Sequence, residues 1–321
     1  MTDPTSHSAL PQFDVHLKPP DIAPWKAGDA GIPGFITRRS REPGPHVALL
    51  GLMHGNELAG AIVLDRLLRA GLQPARGALT FGFVNVEAFE RFDVKRPTAS
   101  RFIDEDLNRV WDTTVLDGPR HSRELDRARE IRPLIDTVDV LLDLHSMLWP
   151  SDPLVLSGTT EKGRALALGT GSPALVVADQ GHANGRRLID YRLFSDHCSH
   201  AAANLLEGGQ HWEAATVDTM MKSVSGLLHH LGILPVGFPA LPPPPRVPQR
   251  VAEVTTAVTA RTAEFSFVQP YRGGEVIPRR NTLIALDGTM EIRTPYDDCL
   301  LVMPSLRPSR GHTAVRMARF V

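Results

Sequence analysis

Histidine and glutamate, two residue types that bind transition metals, stand three apart at His54-Gly55-Asn56-Glu57, directly after an apolar run. An imidazole nitrogen and a carboxylate oxygen are both good zinc ligands, and a strand-to-helix turn can aim the two at one point. The spacing alone decides little, because a chain with 13 histidines in 321 residues meets His-x-x-Glu by chance roughly 0.6 times. A second copy, His121-Ser122-Arg123-Glu124, lies in a charge-rich, helix-prone segment with no buried strand before it and reads as a solvated face. The first copy has a different context. Val47 to Leu52 suits a buried parallel strand, Gly55 permits a tight turn and Asn56 can cap the following helix. His145 ends another apolar run, Leu141-Leu142-Asp143-Leu144-His145, and is the natural third ligand. Two histidines and a glutamate would hold one zinc ion per chain and leave its fourth position open to water.

Other residues fit the same chemistry. Asp143 is placed to accept a hydrogen bond from a ligand imidazole and so orient it, though a turn or ion-pair residue would look the same. Glu207 follows the apolar Asn204-Leu205-Leu206 and precedes two glycines, a setting for a general base that takes a proton from water and passes it to a leaving amine. Arg101 and the pair Asn108-Arg109 supply the cations and the amide that a hydrolase of anionic substrates needs. One arginine can clamp a carboxylate through two hydrogen bonds while another stabilises an oxyanion.

These residues need strands and helices to converge. The order from Val47 predicts a strand ending near Met53, a helix from Glu57 to about Ala70, a strand over 79–86 and a polar loop over 87–100. Residues 101–111 follow neither helical nor strand period. A helix over 122–135, a strand over 138–144, short strands at 154–156, 174–178 and 204–206, helical pieces at 162–168 and 188–200, and a helix over 217–231 complete the pattern. Alternating strands and helices argue a mostly parallel sheet flanked by helices. Residues 1–45, rich in Pro and Gly, read as an irregular arm with one edge strand, packed on a catalytic domain over 46–238. The Pro-rich 239–248 reads as a stiff linker, and 249–321 as a small all-β domain.

Composition narrows the partners. Hydrophobic residues make up 42% of the chain, enough for a sizeable core, and the formal net charge of -1 with interspersed signs points to neither nucleic acid nor an anionic membrane. Cys198 and Cys299 form no metal-spaced cluster, no run approaches membrane-spanning length, and the segment Met1 to His7 lacks the features of a signal peptide. A cytoplasmic enzyme with a small anionic substrate is the expectation, with homo-oligomerisation open.

The motifs taken together, Gly51-Leu52-Met53-His54-Gly55-Asn56-Glu57, Arg101 with Asp106-Leu107-Asn108-Arg109, Asp143-Leu144-His145 and Glu207-Gly208-Gly209, resemble the succinylglutamate desuccinylase/aspartoacylase family, relatives of the zinc carboxypeptidases. The resemblance covers about residues 46–235, and Thr294 to Pro304 is similar to the small β-domain of bacterial members. It implies a carboxypeptidase-like α/β fold, zinc on His54, Glu57 and His145, and Glu207 as general base. It also implies Arg101 polarising the scissile carbonyl and Asn108 with Arg109 holding the substrate carboxylate of a small N-acyl amino acid. After Glu207 the chain reads Gly208-Gly209-Gln210-His211-Trp212, unlike the aspartoacylase branch, and no motif selects among Arg186, Arg187 and Arg192 for the acyl group. A zinc carboxypeptidase or small-peptide hydrolase using the same site, and a metal- or ligand-binding relative without turnover, are the alternatives.

Overall fold

The computed structural model describes residues 12–181, 184–245 and 247–321. Residues 1–11 of the expected arm and Arg246 of the expected linker lie outside them. Within the arm, one edge strand forms, β1 (Phe35–Arg39), followed by β2 (His46–Gly51), α1 (Leu58–Arg69), β3 (Ala78–Phe83), α2 (Val86–Phe89), α3 (Thr113–Leu116), α4 (Arg123–Ile135) and β4 (Val140–Met147). Next come β5 (Leu154–Leu156), α5 (Glu161–Thr170), β6 (Leu175–Ala178), α6 (Arg192–Ser195), β7 (Ala202–Gln210) and α7 (Ala214–His230). The C-terminal part is all strand: β8 (Arg250–Thr259), β9 (Phe265–Phe267), β10 (Val276–Ile277), β11 (Leu283–Asp287), β12 (Met290–Arg293), β13 (Cys299–Val302) and β14 (Thr313–Phe320).

Among the described residues, eleven strands join in one mixed sheet, β1-β3-β2-β4-β7-β5-β6-β8-β14-β13-β10, with β12-β11-β9 forming a separate antiparallel sheet. The pairs β3/β2, β2/β4, β4/β7, β5/β6 and β6/β8 are parallel, while β7/β5 in the middle is antiparallel, so two parallel blocks, β3-β2-β4-β7 and β5-β6-β8, meet there, with antiparallel pairs at both outer sides. Because β8 pairs directly with β6, sheet hydrogen bonding is continuous across residues 239–248. Both faces are covered. The buried residues of α1, α5 and α7 pack with Leu49, Leu142 and Leu206 on one side, while those of α4 pack with Ala48, Leu141 and Leu205 on the other. Strands buried on both faces read as unbroken apolar runs, which is how β2 and β4 appear in the sequence.

The chain leaves β2 for β3 on one side and then returns to β4 on the other. Ligand crevices open at such reversals, beyond the carboxyl ends of the strands. His54 follows β2, and His145 lies near the end of β4. One expected element is shorter than its sequence suggests. Residues 188–200 form a single 3-10 turn at Leu188–Asp190 and the four-residue α6, because Tyr191 between them is extended (ψ 145°) and the turn is held by an ion-pair network at Arg187.

Candidate metal centre and catalytic site

Strand β2 ends at Gly51, and Leu52 then takes a left-handed backbone conformation (φ 58°), unusual for a bulky residue, which turns the chain toward His54. Gly55 serves close approach rather than an unusual dihedral: a Cβ there would lie 2.4 Å from the backbone of Ala88 and Phe89. Its N–H donates to Arg101 O (3.0 Å), tying the histidine turn to the loop that carries Arg101. The expected cap is corrected. Glu57, not Asn56, occupies the N-cap of α1, and buried Asn56 Oδ1 has no hydrogen-bond partner among the described residues.

His54, Glu57 and His145 converge. His54 Nδ1 is 2.7 Å from Glu57 Oε1, His145 Nδ1 is 3.2 Å from Glu57 Oε2, and one ligand atom from each residue falls within 4.8 Å of the others. All three side chains are buried. Each imidazole turns its other nitrogen outward onto a carboxylate: His145 Nε2 to Asp143 Oδ2 at 2.8 Å, and His54 Nε2 to Asp106 Oδ1 at 2.9 Å. A carboxylate at Nε2 fixes the tautomer that leaves a lone pair on Nδ1, the arrangement found around metal-bound histidines. The period of two places Asp143 and His145 on one face of β4, so this contact follows from the strand itself. Two imidazole nitrogens and one carboxylate, mutually close and oriented from outside, suit zinc.

Electrostatics agree. Burial alone would raise the Glu57 carboxyl, but His54 and His145 outweigh it and hold it ionised, well below the usual carboxylate range. Burial likewise disfavours the His145 imidazolium, yet Asp143 and Glu57 prevail and raise it well above its ordinary value. Such a cluster concentrates negative charge that a cation can neutralise in place of protons.

Glu207 pairs in register with His145 on the adjacent strand β7. Its carboxyl is buried, Oε2 has no partner among the described residues, and burial pushes it up to about 8 despite the opposing pull of His145. Arg101, at the rim with its side chain 36% exposed, reaches Glu57 Oε1 (3.3 Å), His54 Nε2 (2.9 Å) and Asp106 Oδ2 (3.2 Å). Asn108 is buried: Oδ1 accepts the Leu188 N–H (2.8 Å), and Nδ2 stands 3.5 Å from His145 Nε2. Arg109 donates to Asn108 O at 2.6 Å and sits 3.8 Å from Asp106. Burial, opposed by Asp106 and reinforced by the cations Arg101, Arg187 and Arg316, pulls its guanidinium down to about 10. A half-buried cation crowded by other cations favours an anion beside it.

The contacts above thus bring His54, Glu57, Arg101, Asn108, Asp143, His145 and Glu207 together, with Arg109 joined to them through Asn108 and Asp106, and several more residues join them. Asp106 was visible only as part of a motif, although it holds His54 and accepts the Asn108 N–H (2.8 Å). Glu124, read with His121 as solvated, is buried. Its two oxygens accept the amides of Ile103 (2.7 Å), Asp104 (3.0 Å) and Glu105 (3.2 Å), anchoring the loop between Arg101 and Asp106. His121 itself is exposed beside Asp126. Arg187 is buried between Asp179 (2.7 Å) and Asp190 (2.7 Å), whereas Arg186 and Arg192 are exposed.

Fold and site together define a mixed α/β protein with a buried His-Glu-His group that could hold a metal ion at the carboxyl ends of parallel strands β2 and β4. Residues 43–152 match the succinylglutamate desuccinylase/aspartoacylase catalytic domain, an interval that contains His54, Glu57, Arg101, Asn108, Arg109, Asp143 and His145 but not Glu207. The chain is 33% identical over 123 residues to aspartoacylase of Xenopus tropicalis, covering 35% of this chain and 37% of the relative. It is also 33% identical over 119 residues to N-acyl-aromatic-L-amino acid amidohydrolase (carboxylate-forming) of Homo sapiens, covering 33% and 34%. The matched stretches therefore span only about a third of these curated relatives. The crystal structure of succinylglutamate desuccinylase from Vibrio cholerae superposes with a TM-score of 0.67 over 89% of this chain and 85% of that one, at 17% identity, a likeness of fold. The likeness in sequence to the succinylglutamate desuccinylase/aspartoacylase family lies within residues 43–152, and the likeness in fold extends over most of the chain. No helix among the described residues is long and apolar enough to cross a membrane.

Proposed function

We propose that this protein is a zinc-dependent amidohydrolase that removes the acyl group from a small N-acyl amino acid or a related carboxylate-bearing amide. The observation that carries the reading is the buried Glu207 carboxyl, whose Oε2 has no partner among the described residues, standing in register with His145 near the convergent Nδ1 atoms of two histidines and the Glu57 carboxylate. His54, Glu57 and His145 would hold the ion, with Asp143 and Asp106 orienting the two imidazoles. Zinc bound there would supply Lewis acidity toward an amide carbonyl and make water more acidic.

The chain's own groups supply the rest. Ionised Glu207 takes the proton of the attacking water, and the resulting carboxylic acid donates it to the departing amine nitrogen. Glu207 is uncharged below about 8 in the metal-free protein, and a nearby cation favours the ionised form that a base requires. Arg101, at the rim beside the ligands, donates to the oxygen on which charge develops. Asn108 and Arg109 bind the substrate carboxylate, with Arg109 as the half-buried cation.

A pure metal binder has no use for a buried base, and relatives named for N-acyl amino acid hydrolysis favour amides over peptides. The test is turnover of a panel of N-acyl amino acids against C-terminal dipeptides, using protein stripped by chelation and reloaded with zinc. Hydrolysis of N-acyl amino acids that disappears with the metal and returns with zinc is expected. Faster turnover of dipeptides supports the peptide-hydrolase reading, and no turnover of any amide supports the binder.

A further inference from the structure

The stretch after Glu207 closes over both ligand-bearing segments. Met147 O accepts the His211 N–H (2.7 Å), and His211 Nδ1 stands 2.7 Å from Ser146 Oγ. Ser146 follows ligand His145, and its own N–H donates to Glu57 Oε2 at 2.9 Å. The next residue, Trp212, sends its indole N–H to Asn56 O (2.9 Å), between ligands His54 and Glu57. Two consecutive residues of one strand end therefore fasten the two segments that bring all three ligands together.

The backbone is bent to do this. Trp212 is buried and left-handed, with φ 62°, a conformation that bulky residues rarely adopt. Strain of this kind persists only where the surroundings over-determine it. The indole is held at 5.9 Å between ring centroids by Phe13 and at 6.5 Å by Phe92, while the His211 ring lies 5.1 Å away. Packing confines the ring, and the ring's one polar atom is spent on the ligand turn.

We propose that His211 and Trp212 are positioning residues for the metal ligands: the Trp212 indole fixes the turn between His54 and Glu57, and His211 fixes Ser146, whose amide holds the Glu57 carboxylate. The inference rests on the metal site proposed above. Groups that orient ligands from outside typically change metal affinity 10–100-fold when removed.

The deciding variant is Trp212→Phe, which keeps an aromatic ring near Phe13 and Phe92 but loses the indole N–H together with part of the ring volume. Zinc affinity is read by competition with a chromophoric chelator, and thermal unfolding of the chelated protein reports the fold. A 10–100-fold rise in zinc Kd is expected, with the metal-free midpoint lowered by the lost ring volume and the packing control below separating the two effects. Ser146→Ala, which removes the partner of His211, weakens zinc as well and decides the matter if Trp212→Phe does not fold. Phe92→Leu loosens the packing but keeps the N–H, and leaves zinc Kd within about twofold of wild type. Zinc affinity unchanged in both Trp212→Phe and Ser146→Ala overturns the proposal, as does an equal loss in Phe92→Leu. A wild-type chain that binds no zinc overturns the metal site and this inference together, whereas normal wild-type binding with unaffected variants overturns this inference alone.

Discussion

Replacing Glu207 by glutamine isolates the cost of burying a carboxyl beside other acids. In the metal-free protein the Glu207 carboxyl is pushed up to about 8 by burial, from an ordinary 4.5. The sign follows from proton binding. Below pH 4.5 the group is neutral whether the chain is folded or not, and its burial costs nothing through ionisation. Between 4.5 and 8 the unfolded chain releases the proton while the folded one keeps it, so stability falls by about 1.4 kcal/mol per pH unit. At pH 7 the loss is about 3 kcal/mol for an isolated group, and it levels off above pH 8. Glutamine has the shape of the protonated acid and no charge to lose. Chelated Glu207→Gln should therefore match wild type near pH 5 and exceed it by a few kcal/mol at pH 8, as measured by guanidinium unfolding at both values. Saturating zinc should shrink the gap, because a cation favours the ionised form. A gap independent of pH, or a wild type more stable at pH 8, would refute the burial argument.

The zinc-loaded Glu207→Gln protein should lose roughly 10²–10⁴-fold in kcat, the usual worth of a general base, with retained turnover in steady-state assays removing Glu207 from that role. His145→Ala should leave the purified protein without stoichiometric zinc by elemental analysis, and a one-to-one content would contradict the ligand set. Arg109→Ala should raise KM about 10–100-fold for a substrate with a free carboxylate, corresponding to a charged hydrogen bond of about 1.5–3 kcal/mol, and much less for its amide-capped analogue. Equal effects on the two substrates would show that Arg109 does not read the carboxylate. Glu124→Ala should lower stability by about 2–3 kcal/mol in denaturant unfolding, since backbone donors in the loop lose their acceptor, and Glu124→Gln should recover part of it.

The central strands were legible because burial on both faces writes them as unbroken apolar runs, and helices α1, α4 and α7 because one face of each is apolar at helical spacing. The histidines and Glu207 could be singled out because each stands at or near the end of such a run. What could not be read was contact between distant segments. Nothing local in Glu124 says that its oxygens meet amides some twenty residues earlier, nor in Trp212 that its indole meets Asn56. Asn56 illustrates the opposite error: a good capping residue by type is displaced because Glu57 must serve as both the helix boundary and the proposed ligand. Residues 188–200 have helical composition, yet the buried Arg187 between Asp179 and Asp190 outweighs local preference.

The C-terminal strands also have a protective consequence. Strand β8 covers β6, whose Leu175-Val176-Val177-Ala178 would otherwise present a row of free amides and carbonyls on an apolar strand. With β8, β14 and β13 added, the sheet instead ends at the two-residue β10, and at its other side at β1 with Arg38 and Arg39. Short or charged edges of this kind discourage strand pairing between molecules. Shortening the chain before Arg250 would thus open an apolar strand edge to pairing, so that a part that looks like an appendage also serves as the cover of the central sheet.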